Sequence, residues 1–284
     1  MKILVGTLYT IENEFDDCCK SIQKQTYKKY DHIVIRDLPK KEAHDTLFAQ
    51  LMDNVDHFDL LIKVDADMVI EKVDLFAIIV EQFKVDSKLD LLSIAVHDYF
   101  TNNLIIGMNS YRNTVRWENP NDHLHTDMTF LRNTIRKEVQ DFDRLAPAAY
   151  HCPNPGKFQS FHFGFHRGIK AVKGGTNWRV LRSMVSHYQN TNDKRVALAL
   201  LGAQTAFTDK FSIHHISYNN KSLEQHFIKK YENLDDESIK HIVKSTKLYR
   251  LLKLPIDERI IPKYYDLKRK YLKKLFSSRI PNKV

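Results

Sequence analysis

Glycine and cysteine are scarce in this chain of 284 residues. It has 8 glycines, well below the usual frequency of about 7%, and neither G-x-G-x-x-G nor G-x-x-x-x-G-K-[S/T] occurs. Of the three cysteines, Cys18 and Cys19 are adjacent and Cys152 is distant, so we expect free thiols. These absences exclude glycine-rich nucleotide-binding loops and disulfide-rich secreted domains.

Long hydrophobic runs are also missing. The longest, Val196 to Ala203, is far shorter than the roughly 18 residues that a membrane-spanning helix needs. The N-terminal segment MKILVGTLYT carries one lysine and no cleavage-site region, unlike a secretory signal, so we expect a cytoplasmic protein. With 43% hydrophobic residues, the chain can bury a large core and is expected to be globular.

Acidic residues are rare near the C-terminus. Residues 240–284 contain 14 Lys or Arg and three acidic residues, a net charge of +11, whereas residues 1–239 carry −2. Because the positive charge belongs to the tail, we expect no nucleic-acid partner. Aromatic residues and leucines recur at helical spacing between the lysines of 262–284: Tyr264, Leu267, Tyr271 and Leu275. This pattern predicts a basic helix that binds an anionic membrane surface, at the inner face; the alternative is a solvated helix packed on the body.

Hydrophobic periodicity predicts alternating strands and helices in the first 110 residues. We expect strands at Lys2–Leu8, Ile33–Ile35, Leu60–Val64, Leu91–Val96 and Leu104–Met108, and helices at Phe15–Ile22, Thr46–Val55 and Val73–Phe83. Such alternation is typical of an α/β fold with a mostly parallel sheet flanked by helices.

The pattern is weaker after residue 119. It predicts helices at Thr129–Arg144, Trp178–Tyr188 and Lys194–Leu201, a short strand at Phe211–Ser217, and mainly helices beyond Asn219. Irregular segments often carry binding loops, so we expect this part to cover a site that the first half forms.

Asp65 and Asp67 follow the third predicted strand, two residues apart. Alternation along an extended chain turns both carboxylates to the same side. Such a pair can hold Mg²⁺ or Mn²⁺ when a substrate diphosphate and water complete the shell. The carboxyl end of a parallel strand is also where open α/β folds bind ligands. The alternative is a pair of solvated acids at a strand end.

Several segments, in this order, resemble the N-terminal half of the family 2-like glycosyltransferases of GT-A fold. They are Thr7-x-Tyr9 at the end of the first strand, a helix ending in SIQKQTY, a second strand closing in Asp37, and Asp65-x-Asp67. The resemblance covers about residues 2–110 well and the rest loosely. It implies a catalytic domain at 1–218, with a nucleotide-sugar-binding half (1–110) and an acceptor-side half (111–218), and a helical basic extension at 219–284.

The resemblance also implies roles for the matching residues. Thr7 and Tyr9 would line the nucleotide pocket, where an aromatic ring can stack on a base. Asp37 would accept a hydrogen bond from the base, and its carboxylate would favour uracil, and hence a UDP-linked donor. Asp65 would lie near the ribose and the metal, and Asp67 would be the more direct metal ligand.

Asp193 opens a predicted helix that has Gly202 nine residues later. This arrangement resembles the family's catalytic base, which would take the proton from the acceptor hydroxyl. The alternative is a simple helix cap, because Asp is favoured at that position.

Two histidine pairs complete the candidate residues. The resemblance also implies that one of His214 and His215, in the predicted strand at 211–217, completes the metal shell; the alternative is that both are structural. The segment that contains His162 and His166 resembles the family's acceptor-side glycine loop, so these histidines would contact the acceptor. One alternative is a structural role. A less favoured alternative is metal binding through their i, i+4 spacing.

Together these features predict a metal-dependent glycosyltransferase that moves a sugar from a nucleotide-diphosphate donor to a glycan or a lipid-linked glycan. Two other classes stay open. One is a nucleotidyltransferase or phosphohydrolase that uses Asp65 and Asp67, which would release pyrophosphate or phosphate instead of UDP. The other is a non-enzymatic protein that binds anionic surfaces and needs neither metal nor nucleotide sugar.

Overall fold

The computed structural model describes residues 1–118, 124, 126, 134–139, 147–174, 177–207 and 211–254. Within these ranges, eight strands form one sheet. They are β1 (Ile3–Tyr9), β2 (Tyr30–Arg36), β3 (Leu60–Lys63), β4 (Met68–Ile70), β5 (Leu91–Asp98), β6 (Asn103–Arg112), β7 (Arg136–Val139) and β8 (Ala149–His151). Their order is β2-β1-β3-β6-β5-β8-β4, and β7 also pairs with β5.

Parallel pairing connects β1 to β2 and β3, and β5 to β7 and β8. The pairs β3–β6, β5–β6 and β4–β8 are antiparallel. The predicted α/β class is confirmed, with helices flanking a sheet in which parallel pairs are the majority. Strands β5 and β6 pair across a tight turn, in which Asn102 adopts a left-handed backbone with φ of 52°.

Three helices flank the sheet and six more follow it in the described residues. Those on the sheet are α1 (Phe15–Gln23), α2 (Lys40–Met52) and α3 (Leu75–Val85); the others are α4 (Lys157–Gly174), α5 (Trp178–Thr191), α6 (Lys194–Ala206), α7 (Lys221–Phe227), α8 (Asp236–Ser245) and α9 (Lys247–Leu252). Ile3 and Val5 pack with α1 and α3, whereas Leu4 packs with α2, as alternation along β1 requires. The two faces of the sheet are therefore covered by different helices.

Helices α4 and α6 approach each other closely at two glycines. A Cβ atom on Gly164 would lie 1.6 Å from the Ala199 carbonyl oxygen, and one on Gly202 would lie 1.8 Å from that of Phe161. No side chain fits such contacts, so these scarce glycines are needed for helix packing. Gly164 thus lies inside α4, so the segment around His162 and His166 is a helix and not a glycine loop, and its acceptor-side role stays a prediction.

Two predicted elements are also wrong. Residues 136–139, inside the predicted helix Thr129–Arg144, form β7 because they pair with the edge of β5, where tertiary pairing overrides weak local propensity; most of that predicted helix lies outside the described residues. The predicted strand Phe211–Ser217 contains a 3₁₀ helix, Ile213–Ile216. It forms because Ser212 and His215 exchange side-chain and backbone contacts that close a tight turn.

Helices α7 to α9 pack into the same hydrophobic cluster as α4 to α6. The domain boundary at residue 218 stays a prediction. Residues 255–284 lie outside the described residues, and with them most of the basic tail and the expected helix at 262–284. None of the helices in the described part of the chain is long and apolar enough to cross a membrane.

Candidate functional site

A cavity of about 490 Å³ opens at the carboxyl ends of β1, β2 and β3. Tyr9 comes from the end of β1, and Asp65 and Asp67 come from the loop after β3. Helix α4 contributes further lining residues between His162 and Lys170. These residues converge because parallel strands end at the same edge of a sheet.

Asp65 and Asp67 both line this cavity but have different partners. Lys63 Nζ lies 2.6 Å from Asp65 Oδ1, and the Lys63 side chain is only 5% exposed. Lys63 and Asp65 are two positions apart along an extended segment, which turns both to the same side. The charge of Asp65 is therefore balanced by a buried cation of its own strand.

Asp67 instead faces His151 and Cys152. Its Oδ2 atom lies 3.4 Å from His151 Nε2, and it accepts a hydrogen bond of 3.4 Å from the Cys152 thiol. Its Oδ1 atom is buried and has no hydrogen-bond partner among the described residues. Because a buried carboxylate oxygen without a partner is costly, Oδ1 is an open position for a ligand.

The short strand β8 brings the partners of Asp67 together. Its register sets His151 opposite Met68 on one side and opposite Asp98 on the other. Asp98 Oδ1 lies 2.7 Å from His151 Nδ1, which leaves Nε2 directed toward Asp67. Cys152 adopts a left-handed backbone with φ of 51°, and its N–H donates to the Asp67 carbonyl oxygen. Such rare conformations cluster at functional sites.

The charges of this cluster support one another. Burial alone would lower the pKa of His151, but the surrounding Cys152, Asp67 and Asp98 raise it well above its usual value. Burial alone would raise the pKa of Asp67, but the His151 ring holds it below its usual value. Burial and then the Asp67 charge raise the pKa of Cys152. The His151 ring therefore lies between two carboxylates, those of Asp67 and Asp98.

Asp67, His151 and Cys152 could hold a metal ion, since their ligand atoms all lie within 4.8 Å of one another. The unpartnered Oδ1 of Asp67 fits this role, and a carboxylate suits Mg²⁺ or Mn²⁺. The Asp98–His151 contact also matches the carboxylate that orients a metal-binding histidine through its second nitrogen. The residues present therefore fit a divalent cation.

Glu12 is a carboxylate of the same cavity that the sequence reasoning missed. Its Oε2 atom accepts hydrogen bonds from the backbone N–H groups of Thr10, at 2.7 Å, and Ile11, at 3.0 Å. Burial and then the charge of Asp67 raise the pKa of Glu12 to about 7. Its burial depends on the fold of the loop after β1, and no local sequence signal indicates it.

The residues predicted to bind the nucleotide take different positions. Tyr9 lines the cavity; its ring stacks on Phe15 at 4.1 Å and lies 5.0 Å from the Arg36 guanidinium. Thr7 is fully buried, and its Oγ1 lies 3.0 Å from His32 Nε2. Asp37 is exposed beyond β2 with a left-handed φ of 56°. Thr7 and Asp37 are not among the residues that line the cavity.

Asp193 is the N-cap of α6. Its Oδ1 atom accepts hydrogen bonds from the backbone N–H groups of Arg195 and Val196, and Oδ2 accepts one of 2.7 Å from the Tyr99 hydroxyl. Asp193 does not line the cavity that contains Asp67. Its role as a base stays a prediction.

His214 and His215 lie in the 3₁₀ helix Ile213–Ile216. His214 lines a second cavity, of about 420 Å³, beside the start of α2, and His215 Nδ1 lies 3.0 Å from the Ser212 backbone nitrogen. Neither lines the cavity of Asp67. Their metal role stays a prediction, while His151 occupies the position beside Asp67.

His162 and His166 both line the cavity from α4. His162 Nε2 donates to the Ile216 carbonyl oxygen at 3.0 Å, and its ring stacks on Tyr218 at 3.7 Å. His166 Nε2 accepts a hydrogen bond of 3.0 Å from Lys40 Nζ. Burial and then nearby Lys40 lower the pKa of His162 to about 3 and that of His166 well below its usual value, so both rings are neutral.

Solved structures give weak matches to this chain. The mannosyltransferase PcManGT from Pyrobaculum calidifontis, solved with GDP-Man and Mn²⁺, is 9% identical, with a TM-score of 0.38 over 88% of this chain and 82% of that one. A glycosyltransferase involved in glycosylation of the major capsid of PBCV-1 is 10% identical, with a TM-score of 0.36 over 55% of this chain and 95% of that one. A197 from STIV is 13% identical, with a TM-score of 0.30 over 39% of this chain and 65% of that one. No protein-family model matches the sequence, and no curated protein does. Scores this low support no inference about activity.

Proposed function

We propose that this protein is a metal-dependent glycosyltransferase. It moves a sugar from a nucleotide-diphosphate donor, preferentially UDP-linked, to a glycan or a lipid-linked glycan. One observation carries the proposal: Asp67, with an unpartnered buried oxygen, lies beside His151 in a cavity at the carboxyl ends of parallel strands. This is where an α/β sheet binds a nucleotide and where a metal ion can meet its diphosphate.

Asp67 and His151 are the residues that would hold the cation, with Asp98 fixing the orientation of the His151 ring. When bound, a divalent cation neutralises charge on the departing diphosphate. The imidazole favours Mn²⁺ over Mg²⁺, because Mg²⁺ prefers a shell made of oxygen atoms. Lys63 keeps Asp65 in place at the edge of this site.

Tyr9 is the cavity residue proposed to contact the base. Its ring stacks on Phe15, and the Arg36 guanidinium lies beside both rings, 5.0 Å and 4.7 Å from their centres, so the Tyr9 ring loses little further freedom when a base stacks on it. Asp37 is exposed near the end of β2, with a carboxylate free to accept the imide N–H of uracil in this proposal. Thr7 supports the same strand end from within the core.

Two carboxylates are candidates for the base that takes the proton from the acceptor hydroxyl. Asp193 is the one that the sequence pattern predicts, but its oxygens already bond two backbone N–H groups and Tyr99. Glu12 lines the cavity, and its pKa of about 7 suits a base near neutral pH. The geometry favours Glu12.

The proposal is tested by incubating the full chain with a panel of nucleotide sugars and a mixture of glycan and lipid-linked glycan acceptors, with Mn²⁺ or with EDTA, and identifying the released products. We expect UDP from UDP-sugars in the presence of Mn²⁺, and none in EDTA. In parallel reactions with nucleoside triphosphates and sugar 1-phosphates, release of pyrophosphate would identify a nucleotidyltransferase, and release of inorganic phosphate a phosphohydrolase. If no nucleotide sugar raises the thermal stability of the protein with or without Mn²⁺, the enzyme proposal is overturned; a bound ligand at about 100 times its Kd adds roughly 2.7 kcal/mol.

A further inference from the structure

The thiol of Cys152 completes a triangle of ligand atoms with Asp67 and His151. Its Sγ atom lies 3.4 Å from Asp67 Oδ2 and 3.7 Å from His151 Nε2, and those two atoms are 3.4 Å apart. An ion bound tetrahedrally by a sulfur at about 2.3 Å, a nitrogen at about 2.0 Å and an oxygen at about 2.1 Å separates its ligand atoms by roughly 3.3–3.6 Å. The triangle is close to these dimensions.

The same separations suit an octahedral oxygen shell less well. Mg²⁺ demands ligand atoms at about 2.1 Å in near-ideal octahedral geometry, which puts neighbouring ligand atoms about 3.0 Å apart. The 3.4 Å between Asp67 Oδ2 and His151 Nε2 is larger. A sulfur ligand also selects softer ions, because thiolates suit Zn²⁺ whereas Mg²⁺ takes carboxylate, carbonyl and water oxygens.

The position of the Cys152 sulfur is fixed by its surroundings. The left-handed backbone of Cys152 lets its N–H donate to the Asp67 carbonyl oxygen at 2.7 Å. Gln159 Nε2 lies 3.8 Å from Sγ as a hydrogen-bond donor. The Gln159 amide is itself held, since it donates to Glu14 Oε2 at 2.8 Å and accepts from the Asn13 N–H at 3.1 Å. A fixed N–H donor at the sulfur stabilises a thiolate and orients it, as outer contacts of metal ligands do.

The three ligand atoms leave the cavity side of the cluster for a further ligand. Asp67 and His151 line the cavity, whereas Cys152 is buried and does not. Zinc sites that act on substrates have three protein ligands and keep the fourth position for water or substrate. An oxygen of the donor diphosphate would reach that position from the cavity.

We propose that the Cys152 thiolate is the third protein ligand of the metal, and that the site therefore binds Zn²⁺ and Co²⁺ more tightly than Mn²⁺ and Mg²⁺. The inference rests on the proposed function, which it deepens by naming the class of ion. As the metal–sulfur bond forms, the S–H bond of Cys152 breaks and its proton passes to solvent, as does a proton carried by His151 Nε2. Mn²⁺ still binds, but more weakly, because the affinity of such sites rises from Mn²⁺ to Zn²⁺.

The sulfur ligand is tested with Co²⁺, because a thiolate bound to Co²⁺ gives a charge-transfer band in the near ultraviolet. The reduced, metal-free full chain is titrated with Co²⁺ and followed by absorption. We expect the band in the native chain and its loss in Cys152→Ser. The double variant Cys18→Ser/Cys19→Ser leaves Cys152 as the remaining thiol of the sequence and should keep the band. Circular dichroism checks that each variant is folded.

The ion preference is measured by competition with a metal-binding dye. The native chain should bind Zn²⁺ roughly a hundredfold or more tightly than Mn²⁺. Cys152→Ser should lose most of this preference, because it removes the sulfur and keeps Asp67 and His151. Its Zn²⁺ affinity should fall by about a hundredfold and its Mn²⁺ affinity by less than about tenfold.

The inference is overturned if Co²⁺ binds the native chain without the band, if the band is absent from Cys18→Ser/Cys19→Ser, or if Zn²⁺ binds no more tightly than Mn²⁺. The double variant decides the sulfur ligand even if Cys152→Ser does not fold. Mn²⁺-dependent UDP binding without the band would leave the glycosyltransferase proposal standing and this inference overturned. If the band forms through Cys152 but no nucleotide binds with Zn²⁺, Co²⁺ or Mn²⁺, the metal site stands and the glycosyltransferase proposal fails.

Discussion

The strand side and the helix side of the cavity are built in different ways. On the strand side, Asp67 comes from the loop just before β4, and His151 and Asp98 are the last residues of β8 and β5. His151 contacts both carboxylates. On the helix side, Lys170 and Arg167 come from one face of α4, held in place by helix packing. Charges of opposite sign meet as contacts on the first side, whereas on the second side Lys40 Nζ donates to the neutral His166 ring.

This difference indicates separate tasks. A closed network of acids and an imidazole fixes ligand atoms, which suits a metal ion. A helix face fixed by packing positions its side chains precisely, which suits contact with a substrate. Changes on the strand side should therefore affect metal and donor, and changes on the helix side should affect the other substrate.

The largest effect is expected for the base. Glu12→Gln keeps the shape and should lower kcat by about 10²–10⁴-fold, the usual contribution of a general base, while UDP binding is retained. Asp193→Asn preserves a good helix cap and should change kcat less than tenfold. Steady-state rates with a fixed donor and acceptor test both. If Asp193→Asn lowers kcat more than Glu12→Gln does, Asp193 is the base and Glu12 is not.

The next effect concerns the strand side. Asp98→Asn removes the charge that orients His151, and should weaken Mn²⁺ binding by about 10–100-fold. Asp90→Asn, just before the other end of β5, is the matched control. Mn²⁺ titration followed by electron paramagnetic resonance measures the change. An unaltered Mn²⁺ affinity in Asp98→Asn would show that the ring orientation does not serve a metal.

The packing of α4 is tested through its glycine. Gly164→Ala puts a methyl group against the Ala199 backbone and should lower the free energy of unfolding by about 1–3 kcal/mol. Gly156→Ala precedes the same helix, where only Gln159 Oε1 comes within 4.0 Å of the added atom, so it should be nearly neutral. Urea titration measures both. Equal stability of the two variants would contradict the close helix crossing.

A smaller effect concerns pH. Because the pKa of Glu12 is about 7 in the folded chain, against 4.5 for an ordinary glutamate, the folded state binds more protons between these values. Glu12 should therefore favour folding less as pH rises from about 4.5 to 7. Relative to Glu12→Gln, the native chain should lose on the order of 2 kcal/mol of stability between pH 5 and pH 8. The free energy of unfolding of both proteins is measured in EDTA at each pH. If the difference between them stays constant from pH 5 to pH 8, Glu12 is solvated in the folded chain.

Much of the strand side could be predicted from the sequence. Strong apolar runs marked β1, β3, β5 and β6, and the rule that polar residues at strand ends form sites led to Asp65 and Asp67. The same rule applies to Asp98, the last residue of β5. The sequence did not single it out, because its partner His151 is distant along the chain. His151 lies in a strand of three residues, too short to give a periodic signal, so its position depends on pairing between distant segments.

The helix side could be predicted less well. A glycine suggested a loop at His162 and His166, yet Gly164 serves a close contact with α6 that only tertiary structure reveals. Paired histidines at 214–215 suggested metal ligands in a strand, whereas they lie in a 3₁₀ helix where His214 lines a second cavity. Local patterns identify such residues as unusual, but the packing of distant helices decides which cavity they reach.

The central claim is that Asp67 is part of the metal site that binds the donor. Calorimetry of UDP binding, with Mn²⁺ and with EDTA, tests it on the native chain, on Asp67→Ala and on Asp56→Ala, an exposed acid before the opposite end of β3. We predict that the native chain and Asp56→Ala bind UDP only with Mn²⁺, and that Asp67→Ala, though folded, binds at least a hundredfold more weakly. UDP binding by Asp67→Ala equal to that of the native chain, or equal binding in EDTA, would contradict the account.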